Sequence, residues 1–442
     1  MHNKIIKTLC NANYSVHIVG GAVRDLLSGE TPNDFDIVTN ATTDEIIPLF
    51  PEYKVDLVGE LFNVLIIEGI EVSSYRTDCY KDGELASCTS ASTIEEDLSR
   101  RDLTINSIAL CPISGDIIDP FDGLSDIKNK IIKFTGNPED RIKEDPCRIL
   151  RACRFLAKIG GTFDNETDYA LDINGRLVKT IAPERIRAEI IKAMSTKGAS
   201  LFFDSMAYIG ILKFILKDLD FCYGLDGGSH HNESVFEHCM IAGDAIHPKF
   251  PLLKLTAYLH DLGKYQSSEY DEYGEITFHA HEKLGADIVE EELKRLKFSN
   301  EEIKYISHLI EFHMRSLRDI SPKAMRRLIS KFYENDINYK DYLRLKIADR
   351  KANLKKNPFT IQEIKVMIRL FQIEMNCEKP TFSVKDLAID GTDVMQVLGI
   401  EPGKKVGAIL KGLFEAVLDN PELNTVDKLL ELVENVEGTE KV

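Results

Sequence analysis

The stretch Val16-His17-Ile18-Val19-Gly20-Gly21-Ala22-Val23-Arg24-Asp25-Leu26-Leu27-Ser28-Gly29, with Asn33-Asp34-Phe35-Asp36-Ile37-Val38 just beyond it, reads as strand, glycine pair, short helix and strand. Glycines let a backbone approach a phosphate closely, and a helix start offers it unpaired N–H groups. Side chains alternate along a strand, so Asp34 and Asp36 are expected on one face. Adjacent carboxylates repel unless a cation sits between them, which suits the Mg²⁺ ions of phosphoryl or nucleotidyl transfer. Asp34 and Asp36 are therefore the predicted catalytic and metal-binding pair. A glycine pair or an Asp-x-Asp alone is commonplace in turns and solvated loops; their order and spacing give the stretch its meaning.

Outward from this stretch, residues 1–135 mix short strands with short helices. Phe62-Asn63-Val64-Leu65-Ile66-Ile67 meets Ile70-Glu71-Val72 across Glu68-Gly69 and predicts a β-hairpin. From 136 onward the patterns are almost wholly helical, with Asp145 placed to cap a helix starting at Pro146. Histidines become dense after 230. A last segment, 356–442, sets Gly391, Gly399, Pro402-Gly403 and Gly412 between amphipathic pieces. The expected fold class is an α+β N-terminal head, a mixed sheet with helices, followed by all-α regions.

The chain's 442 residues suffice for two to four domains with real cores. No apolar run reaches membrane-spanning length, and no charged-then-apolar signal pattern opens the chain, so no membrane partner is expected. The nine cysteines are scattered without a Cys-x-x-Cys pair and read as reduced thiols of a cytoplasmic protein. The net charge of −17 argues against nonspecific nucleic-acid binding. Local basic clusters nevertheless stand at Arg100 and Arg101, at Lys128, Lys130 and Lys133, and at Arg148, Arg151, Arg154 and Lys158. Such a surface can hold RNA with salt-sensitive affinity.

The opening stretch resembles the nucleotidyltransferase superfamily that includes DNA polymerase beta, and more closely the class II tRNA nucleotidyltransferases (CCA-adding enzymes) and bacterial poly(A) polymerases. Further blocks follow in family order: Glu95-Glu96-Asp97-Leu98-Ser99-Arg100-Arg101-Asp102-Leu103-Thr104-Ile105-Asn106-Ser107-Ile108-Ala109, Asp119-Pro120-Phe121-Asp122-Gly123-Leu124, Glu144-Asp145-Pro146-Cys147-Arg148-Ile149-Leu150-Arg151-Ala152-Cys153-Arg154-Phe155, and Ala182-Pro183-Glu184-Arg185-Ile186-Arg187-Ala188-Glu189. The resemblance implies tRNA, CTP and ATP as partners and Mg²⁺ as cofactor. It implies a catalytic head over 1–135, a nucleotide-reading and RNA-binding neck over 136–229, and a tRNA-gripping tail over 356–442. Gly20, Gly21 and Arg24 are expected to hold phosphates, and Arg101, Asp102 and Asn106 the triphosphate, ribose or framework. Glu71 would complete the carboxylate set. Each has a plainer alternative: Arg24 paired with Asp25, Asp102 paired with Arg100 or Arg101, and Glu71 as a solvated strand end.

Asp145 and Arg148 share a helix face. A carboxylate that accepts and a guanidinium that donates can match a base edge, and the family uses this pair to read C and A. Their alternative is an i, i+3 ion pair, while Arg151 and Arg154 continue round the helix toward phosphate. Between Arg76 and Asp97 the family carries a flexible loop with an Arg-x-Pro pattern. Here Thr77-Asp78-Cys79-Tyr80-Lys81-Asp82-Gly83 stands without that proline, which leaves the addition pattern open among CCA, C-only, A-only and poly(A).

His238, His260-Asp261, His281, His313 and Asp349 resemble the HD phosphohydrolase superfamily, and imply a metal-dependent domain over 230–355. Imidazole and carboxylate together suit divalent transition metals such as Ni²⁺, Co²⁺ or Mn²⁺. Phosphate or 2′,3′-cyclic phosphate ends are the implied substrates. His279 and His308 are possible neighbours, and His230 and His231 a rim loop. From another class, the chain reads as a signalling phosphohydrolase with a decayed transferase.

Overall fold

The structure, a computed structural model, describes residues 1–32, 35–58, 64–81, 84–377 and 381–439. Asp34 lies outside the described residues, as do Phe62 and Asn63 of the expected hairpin and Asp82-Gly83. The chain divides into two compact units, Met1–Asp220 and Phe221–Val442.

Among the described residues the head of the first unit has nine strands: β1 (Val16–Val19), β2 (Asp36–Thr39), β3 (Val55–Val58), β4 (Val64–Ile67), β5 (Ile70–Ser74), β6 (Arg76–Lys81), β7 (Glu84–Ser90), β8 (Ala109–Leu110) and β9 (Ile117–Ile118). Seven of them form one sheet in the order β3-β4-β5-β2-β1-β8-β9. Neighbours are antiparallel except β2 and β5, which run parallel. The β4–β5 pair is the hairpin read from the sequence. Both faces of the central strands are covered. Ile18, Ile37 and Val72 meet Ile5, Leu9, Ala22 and Val23 on one side. Val19 and Val38 meet Tyr75, Ile94, Leu98 and Ala109 on the other. Burial on both faces is why Val16 to Val19 reads as an apolar run instead of an alternating one.

Two local features depart from the sequence reading. The stretch after Arg76 is the antiparallel pair β6–β7, bulged at Cys79/Tyr80. Thr77 and Thr89 face each other across it with their hydroxyls 2.7 Å apart. Its mostly polar side chains gave no hydrophobic alternation to announce strands. The helical region also contains short strands. β10 (Ile131–Ile132) pairs in parallel with β11 (Thr162–Phe163), bridging the boundary expected at 135/136. In the second unit β12 (Ser268–Tyr270) pairs with β13 (Ile276–Phe278).

The rest of the second unit is helical. Helices Val235–Ala245, Pro251–Leu259, Asn300–Phe312, Pro322–Glu334, Tyr339–Ala352 and Ile361–Met375 share a core that includes Ala242, Leu253, Leu309, Phe332, Tyr342 and Phe371. Phe371 packs in that core, so the helix following residue 356 belongs with the helices before it. A separate core, from Leu387 and Val394 to Leu429 and Val433, gathers the last helices. Among the described residues no helix is long and apolar enough to cross a membrane.

Candidate functional site

Gly20 ends β1 with φ +67°. L side chains rarely adopt that conformation, and an added Cβ would stand 3.1 Å from Asp36 Oδ2 and 3.2 Å from Arg101 Nη1. Bare backbone therefore lies between a carboxylate and a guanidinium. Asp36 opens β2 in register with Glu71 of β5. Their neighbours Ile37 and Val72 both point into one core, so Asp36 and Glu71 project from the opposite face. Loss of water, then the charge of Asp36, raises the Glu71 carboxyl above its ordinary range. Two carboxylates on one face, close enough to feel each other's charge, form a donor set that fits a divalent cation.

Around Gly20 and Asp36 opens a cleft of 590 Å³. Gly20, Gly21, Arg24, Arg101, Asp102, Asn106, Asp145, Arg148, Arg151 and Arg154 all line it; Glu71 does not. Eight arginines and Lys192 face five carboxylates there, which makes the cleft cationic in a chain of net charge −17. That sign suits a triphosphate.

The arginines are held by a buried network. Arg24 donates to Asp25, as the plainer reading had it, and also to Asn106 Oδ1 at 2.5 Å. Asn106 in turn donates to Asp102 at 3.0 Å, and Arg151 reaches Asp102 at 2.6 Å. Burial pushes the Asp102 carboxyl up, but Arg151 and Asn106 hold it well below the usual range. Arg100 and Arg101 pair instead with Asp97, at 2.8 and 3.0 Å. Arg154 pairs with Glu189 at 2.5 Å. The Phe155 ring lies 4.9, 5.7 and 4.1 Å from the guanidinium carbons of Arg24, Arg151 and Arg154.

Asp145 and Arg148 do not pair with each other. Asp145 accepts from Arg185 at 2.7 Å and from the Cys147 N–H at 3.0 Å; the helix begins at Cys147 with Pro146 in the cap position, one residue later than expected, so Asp145 stands just before the cap. Arg148 pairs with Glu144 at 2.6 Å and donates to Tyr80 Oη at 3.2 Å. Sequence reasoning gave no role to Asp97, Tyr80, Phe155 and Glu189, although all four stand in the stretches compared with the family. Asp97 had a signal, standing three and four residues before Arg100 and Arg101 on a helix. The pairings of Tyr80 with Arg148 and of Glu189 with Arg154 had none, because these partners are distant in sequence.

In the second unit five helices and their ends bring six side chains together. His238 lies within Val235–Ala245, His260 and Asp261 follow Pro251–Leu259, His281 opens His281–Arg295, His313 follows Asn300–Phe312, and Asp349 sits near the end of Tyr339–Ala352. Gly263 permits the approach: a Cβ there would meet His281 O at 2.1 Å and Gly285 N at 2.6 Å. Asp261 divides its oxygens between two imidazole pairs. Its Oδ2 is 3.7 and 3.4 Å from Nε2 of His238 and His260. Its Oδ1 is 3.3 and 3.5 Å from Nε2 of His281 and His313. Asp349 Oδ1 lies 3.2 Å from His238 Nε2.

The backbone carbonyls of Ala257, Phe278 and Ile310 lie 2.8, 3.0 and 2.6 Å from Nδ1 of His260, His281 and His313. A carbonyl only accepts, so each Nδ1 carries the proton and each Nε2 lone pair faces Asp261. Among the described residues, Nε2 of His260 and of His281 is buried without a hydrogen-bond partner. Imidazole lone pairs beside carboxylates fit divalent transition metals, and two such groups converge here, His238, His260 and Asp261 and again Asp261, His281 and His313, with Asp349 beside His238. Burial drives the His260 imidazole down to about 4, which keeps it neutral. Asp261 is held well below the carboxylate range despite its burial, by His260 and Lys264 first. Lys264 Nζ is 2.8 Å from Asp261. His279 is exposed, while His231 joins the rim through Glu233. The sequence reading did not single out Glu233, which lies five residues before His238.

Comparison with known proteins follows the same division. The Poly A polymerase head domain model matches residues 16–133. A model described as an RNA- and SrmB-binding site of polymerase A matches 162–222, and tRNA nucleotidyltransferase domain 2 matches 277–433. The A-adding tRNA nucleotidyltransferase of Deinococcus radiodurans is 30% identical over 333 residues, covering 73% of this chain and 75% of that protein. The chain belongs to the tRNA nucleotidyltransferase family. The CCA-adding enzyme of Ligilactobacillus salivarius is 29% identical over 97% of this chain and 94% of its own length. The Bacillus stearothermophilus CCA-adding enzyme, solved in complex with CTP, superposes with a TM-score of 0.72 at 25% identity, over 99% of this chain and 97% of that one. In this tRNA nucleotidyltransferase the head-domain match ends at 133, yet Asp145, Arg148, Arg151 and Arg154 line the same cleft from beyond it.

Proposed function

We propose that this chain adds C and A nucleotides to the 3′ end of tRNA, using CTP and ATP and releasing pyrophosphate. One observation carries the reading: the cationic cleft joins Asp36 of the head to Asp145 and Arg148 of the following helices. A site that both transfers a nucleotide and reads its base needs both. Gly20, Gly21 and Arg24 bind the β- and γ-phosphates, and Arg101, Asp102, Asn106, Arg151 and Arg154 form the wall that orients the triphosphate and ribose. Asp145 and Arg148 offer an acceptor and donors to the base edge. Asp36, with Asp34 and Glu71, would hold Mg²⁺, which lowers the pKa of the attacking 3′-hydroxyl and neutralises the leaving pyrophosphate. The free thiols suit a cytoplasmic enzyme.

The test gives purified protein a tRNA lacking its 3′ end, with CTP, ATP or both, and sequences the products. CCA ends are expected with both nucleotides. Addition of A alone to a tRNA ending in CC would make it an A-adding enzyme; poly(A) tails would make it a polymerase. No extension with any combination overturns the reading.

A second reading belongs to the second unit, favoured by the converging His238, His260, Asp261, His281, His313 and Asp349. We infer that these six hold Ni²⁺, Co²⁺ or Mn²⁺ and that the 230–355 region hydrolyses phosphate or 2′,3′-cyclic phosphate ends. A metal there would supply activated water. Four imidazoles, three of them with tautomers fixed by backbone carbonyls, and two carboxylates supply the ligands. The check is hydrolysis of RNA ending in either phosphate, by chelator-treated protein reloaded with each metal.

A further inference from the structure

Glu233 is buried, 5% exposed, and all four of its carboxylate positions are taken. Its Oε1 lies 2.6 Å from Nδ1 of His231 and 3.1 Å from Nδ1 of His238. Its Oε2 accepts the N–H of Asn232 at 3.1 Å and of Leu354 at 3.0 Å. An ionised carboxylate only accepts, so His238 must donate from Nδ1. Its Nε2 then turns toward Asp349 and Asp261. Leu354 follows the helix that carries Asp349.

We infer that Glu233 is the positioning residue of the metal centre: it fixes the tautomer and ring orientation of His238 and ties that ligand to the end of the Asp349 helix. This rests on the metal-centre reading of the second unit. The other three imidazoles take their orientation from backbone carbonyls, which no substitution at their own positions removes. His238 alone depends on a side chain. Glutamine at 233 keeps the shape but brings an NH₂ to one end of a group that receives N–H donors at both ends. Either the imidazoles or the Asn232 and Leu354 amides then face a donor.

The test uses the full chain with ¹⁵N-labelled histidine. In metal-free protein at about pH 9, above the ordinary imidazole range, His238 is expected as the Nδ1–H tautomer, assigned by its loss in His238→Gln. Glu233→Gln should move it toward Nε2–H and weaken Ni²⁺ or Mn²⁺ binding by calorimetry about 10–100-fold, the usual effect of losing such a partner. Glu233→Asp retains an acceptor and should fall between the two. His231→Gln should leave the His238 tautomer in place. An Nε2–H tautomer in the unsubstituted protein, or an unchanged tautomer and metal affinity in both Glu233 variants, overturns the assignment. Failure of the underlying reading looks different: unsubstituted protein and His260→Ala would bind metal equally poorly, while the His238 tautomer still obeyed Glu233.

Discussion

Arg151 Nη2 stands 2.6 Å from Asp102 Oδ2, and this pair fastens the helix Cys147–Ile159 to the turn after Arg101. Asp102 passes the link through Asn106 to Arg24, so groups 24, 102, 106 and 151 form one continuous hydrogen-bonded wall of the cleft. A wall of this kind fixes guanidiniums before a phosphate arrives, which lowers the ordering cost of binding.

Removing one partner of that pair should be worse than removing both. Arg151→Ala leaves Asp102 buried with only Asn106 and the Leu103 N–H as donors and should cost about 2 kcal/mol, less than the roughly 3–5 kcal/mol of a fully buried pair because Arg151 is partly exposed. The double change Asp102→Asn with Arg151→Met should be less destabilised than Arg151→Ala. Urea denaturation of the three proteins measures the order, and equal losses would show that the pair is not coupled.

Gly20→Ala should fold yet lose nucleotide addition about 100-fold or more. The new Cβ strains a positive-φ backbone that L residues rarely adopt by about 1–3 kcal/mol and presses on Asp36 and Arg101. Asp36→Ala should abolish addition with the fold intact. Circular dichroism and a single-nucleotide extension assay with Mg²⁺ decide both; a folded Asp36→Ala protein with near-normal extension rules out the proposed site.

Arg148→Ala should weaken discrimination between nucleotides more than it weakens tRNA binding, since a base-edge contact is worth about 1–3 kcal/mol of selection. Competition between CTP, ATP and UTP gives the selection, and filter binding the tRNA affinity. A collapse of tRNA affinity at unchanged preference would make Arg148 a phosphate contact.

Acid should loosen the first unit. Burial raises the carboxyls of Asp97, Asp102 and Glu189, but their arginine partners more than reverse this, and all three titrate below their ordinary values. Near pH 4 the unfolded chain therefore binds more protons than the folded one, and stability falls as pH falls. The melting temperature should hold above about pH 5 and drop progressively below about pH 4, as read by calorimetry. A melting temperature that rises on acidification contradicts the buried pairs.

His260→Ala should remove metal-dependent hydrolysis and spare nucleotide addition, because the two centres draw on different units of the chain. Paired assays on one preparation measure both. Loss of addition in a folded His260→Ala protein would show that the centres are coupled.

The sequence by itself determined the strand–glycine–helix–strand start, the β4–β5 hairpin, most of the helical remainder and part of the cleft's lining, because these follow from periodicity and from motifs within short windows. It also named the six side chains of the second centre. Only the tertiary structure decided who holds whom. Asp102 took Arg151 and left Arg100 and Arg101 to Asp97; Asp145 took Arg185, from a helix 40 residues on; and the segment after Arg76 became a strand pair that reaches Arg148 through Tyr80. Glu233 belongs with these, since its worth depends on a backbone N–H 121 residues away. Local patterns set by backbone geometry are legible in a sequence. Pairings between buried charges far apart in the chain depend on which elements the packed core brings within reach, and no spacing along the chain encodes that.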